Sequence, residues 1–251
     1  MEIINSLDLS IYQWAGVIAA AFLVGFSKTG ITVFFMITIP ILASVFGGKE
    51  STGVILPMML VGDVIAVWYY NRHADWGNIK RLLPWVAVGL LLGIVVGRYI
   101  GDRQFKMLIA ISVLVCLGIM VYTHIKGGDI KVPEGTWFYA FIGMACGFTS
   151  MIGNAAGPIF SIYLLAMGIM KNDYLGTTAW MFFLINLIKV PLQIFFWNNL
   201  SLKTAFLGIY MIPAIALGAL AGILVIRKLD EKPFKYAVIG MTAIAAIKLF
   251  F

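Results

Sequence analysis

The 251-residue sequence predicts an all-α integral membrane protein of about ten helical segments, arranged as two inverted-topology five-segment repeats with broken or re-entrant short helix pairs. Three observations lead there. Hydrophobic residues make up 62% of the chain against 12% charged. Apolar runs follow one another from Ile11 to Phe251 with only short polar interruptions, and glycine-bearing polar breaks fall at corresponding places in the two halves. A mean hydropathy of +0.99 leaves too little polar surface to coat a water-soluble globule, so the bilayer is the expected solvent.

Taken in order, the apolar segments are 11–26, 31–46, 52–71, 79–98, 104–123, 136–149, 157–170, 174–197, 203–226 and 234–250. The first, second, sixth and seventh have roughly 14 to 16 residues, or about 21 to 24 Å of helix, short of a ~30 Å hydrocarbon core. These four are therefore expected not to cross alone. They form two adjacent pairs, one interrupted by Ser27-Lys28-Thr29-Gly30 and the other by Thr149-Ser150-Met151-Ile152-Gly153-Asn154.

The two interruptions point to an internal repeat. Gly25-Phe26-Ser27 is echoed by Gly147-Phe148-Thr149 at an offset of 122, and Asp63 by Asn186 at 123. Pro84, Gly89, Gly93, Phe105 and Lys106 recur as Pro213, Gly218, Gly222, Phe234 and Lys235, all at an offset of 129. The expected units are a first five-helix repeat over 1–123, a cytoplasmic linker over 124–135 and a second repeat over 136–251. Five segments per half inverts the second half, an arrangement expected of secondary transporters, whose sites lie at the midplane where interrupted helices meet.

Charge placement sets the expected orientation. Of the 18 Lys and Arg, eleven fall nearer one face: Lys28, Arg72, Lys80, Arg81, Lys126, Lys131, Lys171, Arg227, Lys228, Lys232 and Lys235. Six fall nearer the other (Lys49, Arg98, Arg103, Lys106, Lys203, Lys248), and Lys189 lies mid-segment. The positive-inside rule makes the first face cytoplasmic and puts both termini outside. The net charge of +7 is scattered in ones and twos, so nucleic acid is not an expected partner. No Lys or Arg precedes the first apolar run, the wrong flank for a signal peptide, and that run is expected to be retained.

Candidate functional residues are those that cost most to place in a span. Lys28 at the first break and Lys189 in mid-segment form a plausible anion seat. Snorkelling toward an interface is the competing reading for both. Asp63, the acidic residue deep in a span, is suited to coupling or charge balance, or to a structural ion pair with either lysine. Asn186 and Gln193 can hydrogen-bond oxyanions without adding charge, although amides in spans also serve as interhelical glue. Helix starts at Thr29 to Thr32 and Asn154 to Pro158 offer unpaired N–H donors to an anion. The substrate-binding set is thus Ser27, Lys28, Thr29, Gly30, Thr149, Ser150, Gly153, Asn154, Thr177, Trp180, Asn186 and Lys189, with Asp63 beside it. Trp68, Tyr69 and Tyr70 suggest an interfacial aromatic belt.

His73 and His124 lack neighbours at metal-ligand spacing, and Cys116 and Cys146 sit inside apolar segments as small packing residues. No catalytic triad, nucleotide loop or metal signature is present in the sequence, so an enzyme, a metal and a cofactor are not expected.

These motifs resemble the TauE/SafE family, the sulfite exporters and their relatives. The likeness rests on Gly25-Phe26-Ser27-Lys28-Thr29-Gly30, on Gly147-Phe148-Thr149-Ser150-Met151-Ile152-Gly153-Asn154-Ala155-Ala156-Gly157-Pro158, and on the Gly89/Gly93 and Gly218/Gly222 pairs, and it runs nearly the full length. The resemblance implies a multi-pass protein of the cell inner membrane. It further implies transport, usually export, of sulfite, sulfoacetate or related C2 organosulfonates, with a homodimer among the expected assemblies. Two other functions stay open at this point: a cation or proton-coupled carrier centred on Asp63, and a non-transporting membrane scaffold.

Overall fold

The computed structural model describes residues 9–97, 99 and 135–248. Segment 104–123, the 124–135 linker up to Glu134, Cys116 and His124 lie outside the described residues. Ten α-helices and no strands occur among the residues described. Helix α1, Ile11–Thr29, starts at a capping box in which Ser10 and Gln13 satisfy each other's backbone N–H groups. A 3-10 turn, Thr32–Phe34, leads into α2, Phe35–Phe46, which stops at Gly47 with φ of 89°, a conformation suited to glycine. Helix α3, Gly48–Tyr70, is followed by a 3-10 turn and by α4, Trp76–Val96, capped by the Asp75 carboxylate.

In the second half α5 spans Thr136–Gly153, α6 Ala156–Ala166 and α7 Lys171–Leu192. Pro191 lies inside α7 and cannot donate to a carbonyl one turn back, and the chain continues as a π-turn, Gln193–Trp197. Helices α8, Leu202–Tyr210, and α9, Ile212–Lys228, follow, then α10, Glu231–Lys248. Segment 203–226, expected as one helix, is a pair bent by 52°. Pro213 in the first turn of α9 accounts for the bend, because its ring crowds the carbonyl of the preceding turn.

Among the described residues five helices are long and apolar enough to cross a membrane, or six if the bent pair is one span. Two of the four segments expected to be short are not. Helix α1 has 19 residues and α5 has 18, because the polar residues read as breaks form their last turns. Ser27 Oγ donates to the Val24 carbonyl and Thr149 Oγ1 to Ala145, each within its own helix, and Thr29 Oγ1 shares its proton between the Gly25 carbonyl of its own helix at 3.2 Å and the closer Ala219 carbonyl. The true breaks are Gly30-Ile31 and Asn154-Ala155. Helices α2 and α6, with 12 and 11 residues, do fall short of a span.

Between lipid-solvated helices apolar burial gives little drive, and close backbone approach takes its place. A methyl group on Gly25 of α1 would sit 1.9 Å from the Ile215 carbonyl oxygen of α9, and one on Gly147 of α5 would sit 2.1 Å from that of Val86 of α4. Gly218 and Gly222 meet Phe22 and Phe26 in the same way, while Gly89 and Gly93 meet Met144 and Met151. The buried apolar residues form two clusters. One joins α1, α2 and α3 to α8 and α9; the other joins α4 to α5, α6, α7 and α10. Each cluster draws helices from both halves of the chain, and α3 meets α7 between them.

Candidate functional site

Where α3 and α7 meet, polar side chains are enclosed by apolar packing. The Lys28 ammonium at the end of α1 lies 2.7 Å from Asp63 Oδ1, and Asn186 Nδ2 donates to Asp63 Oδ2 at 2.6 Å. Lys189 is fully buried and donates to the Ser150 carbonyl at 2.9 Å and to Asn154 Oδ1. Neither lysine snorkels. The aromatic faces of Phe182 and Phe35, at 5.0 and 5.9 Å, complete the setting of the Lys28 ammonium.

The break after α5 shapes the adjoining surface. Asn154 adopts the left-handed conformation, φ 53° and ψ 28°, and its N–H closes back on the Ser150 carbonyl at 3.1 Å, the five-residue bond of an αL helix ending, while Ala155 N–H reaches the Thr149 carbonyl. That turn aims the Asn154 amide at Lys189 and starts α6 at Ala156, which no side chain among the described residues caps. The N-terminal donors of α6 are therefore free to meet an anion. They open on a cleft lined by Ser27, Lys28, Thr32, Phe35, Met36, Met59, Ser150, Asn154, Ala156, Gly157, Pro158, Phe182 and Asn186. Its cavity volume of about 20 Å³ is close to the space of one water, so a small oxyanion enters only as side chains shift.

A wider cleft of about 350 Å³ lies where Tyr69, Tyr70, His73, Lys171, Asn172, Ile226 and Arg227 converge. Tyr70 links the two regions, since its hydroxyl donates at 2.8 Å to the Thr29 carbonyl next to Lys28.

A sequence profile of the family described as sulfite exporter TauE/SafE matches residues 17–249. The chain belongs to the TauE/SafE family. No curated protein and no solved structure matches it. Membership, with the run of apolar helices, makes this a multi-pass membrane protein and implies a transporter of sulfite or related anions.

In this TauE/SafE protein the residues singled out from sequence divide into four groups. Ser27, Lys28, Ser150, Asn154 and Asn186 line the narrow cleft, with Asp63 and Lys189 bonded directly behind it. Thr29, Gly30 and Thr149 serve packing. Thr29 Oγ1 donates to the Ala219 carbonyl of α9 at 2.7 Å, Gly30 leaves room for the Phe26 carbonyl, and Thr149 bonds within its own helix. Gly153 ends α5 at the break without lining the cleft.

Thr177 and Trp180 lie elsewhere. Thr177 Oγ1 accepts from the Asp75 backbone N–H at 2.9 Å, and Trp180 packs against Trp76, ring centres 4.9 Å apart. The aromatic belt is also only partly as expected: Trp68 is exposed, whereas Tyr70 is buried and hydrogen-bonded. Sequence reasoning missed Phe35, Met36, Met59 and Phe182, apolar residues in an apolar chain. The spacing of Phe182 from Asn186, one helical turn, is the signal that could have found it. No cluster able to hold a metal occurs among the described residues.

Proposed function

We propose that this chain is a secondary carrier that exports sulfite, sulfoacetate or a related C2 organosulfonate from the cytoplasm across the cell inner membrane. The observation carrying this reading is the Lys28 ammonium at the wall of a cleft whose other polar groups are amides, hydroxyls and the uncapped start of α6. A sulfonate presents oxygens suited to that set of donors, and charge-assisted bonds to Lys28 supply the stronger part of binding. Two amines, Lys28 and Lys189, stand against one buried carboxylate, Asp63, which balances charge when the guest is absent.

Alternating access between two inverted halves accompanies this reading. Support comes from the glycine seats: Gly25 and Gly147 differ by 122, and their partners Ile215 and Val86 by 129, the offsets that relate the two halves of the sequence. The wider cleft opens toward Lys171 and Arg227, on the face that the positive-inside rule makes cytoplasmic, which leaves both termini outside. A cation carrier centred on Asp63 has less support, because Lys28 and Asn186 occupy both carboxylate oxygens.

The test is uptake of labelled sulfite and sulfoacetate into inside-out vesicles. Lys28→Ala and Asn154→Ala are expected to abolish uptake driven by the parent protein. Unchanged rates in both variants would remove the anion site, and movement of sodium or protons without any anion would favour the Asp63 carrier.

A further inference from the structure

Several buried polar atoms among the described residues lack a hydrogen-bond partner, and Gln193 is the side chain in which both polar atoms do. It is fully buried, and neither Oε1 nor Nε2 has a hydrogen-bond partner among the described residues. An amide kept dry and unpaired opposes folding, and native proteins retain such a group where a water or a ligand satisfies it.

Its position along α7 connects it to the site. Phe182, Asn186, Lys189 and Gln193 follow at steps of three and four residues, so they occupy one face of the helix. Phe182 and Asn186 line the cleft and Lys189 lies just behind it, which makes Gln193 the next polar group toward the end of the helix. At Gln193 the helix widens into the π-turn that ends at Trp197, a feature that recurs at functional sites. The Trp197 ring rests on the end of α4, where a methyl group on Gly97 would come within 3.0 Å of it. Tyr70, 123 residues before Gln193, stands at the matching end of α3 and borders the wide cleft. One end of the pair is open and the other is covered.

We infer that Gln193 is a second station for the transported oxyanion, beyond Lys189 from the cleft, whose Nε2 donates to an anion oxygen once the Trp197 end of the π-turn moves off α4. This rests on the transport reading above.

A stabilising substitution that stops transport is the signature to look for. Gln193→Leu removes the unpaired amide at similar volume, so its thermal unfolding midpoint is expected to equal or exceed the parent's. Sulfite transport is expected to fall about tenfold or more, the factor carried by one hydrogen bond to a charged group. Undiminished transport overturns the station, and a lowered midpoint overturns it too, since the amide would then be bonded and structural.

A second arm does not depend on turnover. In Gln193→Cys, a negatively charged methanethiosulfonate reagent is expected to label the protein faster than the parent, with sulfoacetate slowing the reaction. No labelling above the parent, or labelling that sulfoacetate leaves unchanged, overturns the station. Should the parent move no sulfonate or sulfite, the transport reading fails, and this labelling result alone decides whether Gln193 meets an anion.

Discussion

Asn186 donates to Asp63 at 2.6 Å across 123 residues of sequence, in a place where neither side chain is exposed. The second oxygen of the same carboxylate takes the Lys28 ammonium. One acidic group thereby ties α3 to α1 and to α7, and so joins the two apolar clusters beside the cleft.

Cutting that joint from one side leaves an ammonium in an apolar site without its counter-charge. Asp63→Ala is expected to cost about 3 to 5 kcal/mol. Lys28→Met combined with Asp63→Ala is expected to cost less than the two single losses together, because the double variant buries no orphaned charge. Thermal unfolding of the three variants in detergent measures this. Strictly additive losses would mean the two groups do not interact.

The glycine seats make a steric prediction. Replacing Gly by Ala inside a helix ordinarily helps by about 1 kcal/mol. At Gly25 and Gly147 the added methyl would overlap backbone carbonyl oxygens at 1.9 and 2.1 Å, which no rotamer change relieves. Each Ala variant is expected to be destabilised by about 1 to 3 kcal/mol. Gly240, where an added methyl would meet no described residue within 4 Å, is the control, and its Ala variant is expected to match or exceed the parent. Equal midpoints for all three variants would remove the close-contact account.

The all-helical membrane fold and the polar positions buried within it were legible in the sequence for a physical reason: charged and amide groups stand out against an apolar background. Lys28, Asp63, Asn154, Asn186 and Lys189 were found that way, and they converge. The position of the breaks was misread because Ser27 and Thr149 can satisfy their hydroxyls inside a helix and Thr29 can satisfy its against α9, so polarity alone did not end α1 or α5. Thr177 and Trp180 were misplaced because polarity does not say which face of α7 looks at the cleft. Phe35 and Phe182 gave no contrast at all.

Tyr70→Phe isolates the link between the two clefts. The phenol donates to the Thr29 carbonyl, one of the last-turn groups of α1 that lack an intrahelical partner. Removing that donor is expected to cost about 0.5 to 1.5 kcal/mol. Full retention of stability would show that Tyr70 packs without contributing through its hydroxyl.

Asn154 combines two roles that one pair of substitutions separates. Its backbone is left-handed, φ 53°, a conformation that disfavours most residues by about 1 to 2 kcal/mol and that glycine adopts freely. Its Oδ1 accepts from Lys189. Asn154→Gly keeps the turn and loses the acceptor, whereas Asn154→Ala loses both. The Gly variant is therefore expected to unfold at a higher temperature than the Ala variant, while sulfite transport falls to the same low level in each. If Asn154→Gly transports like the parent, the side chain serves only the turn, and the cleft must hold its guest through Lys28 and the start of α6.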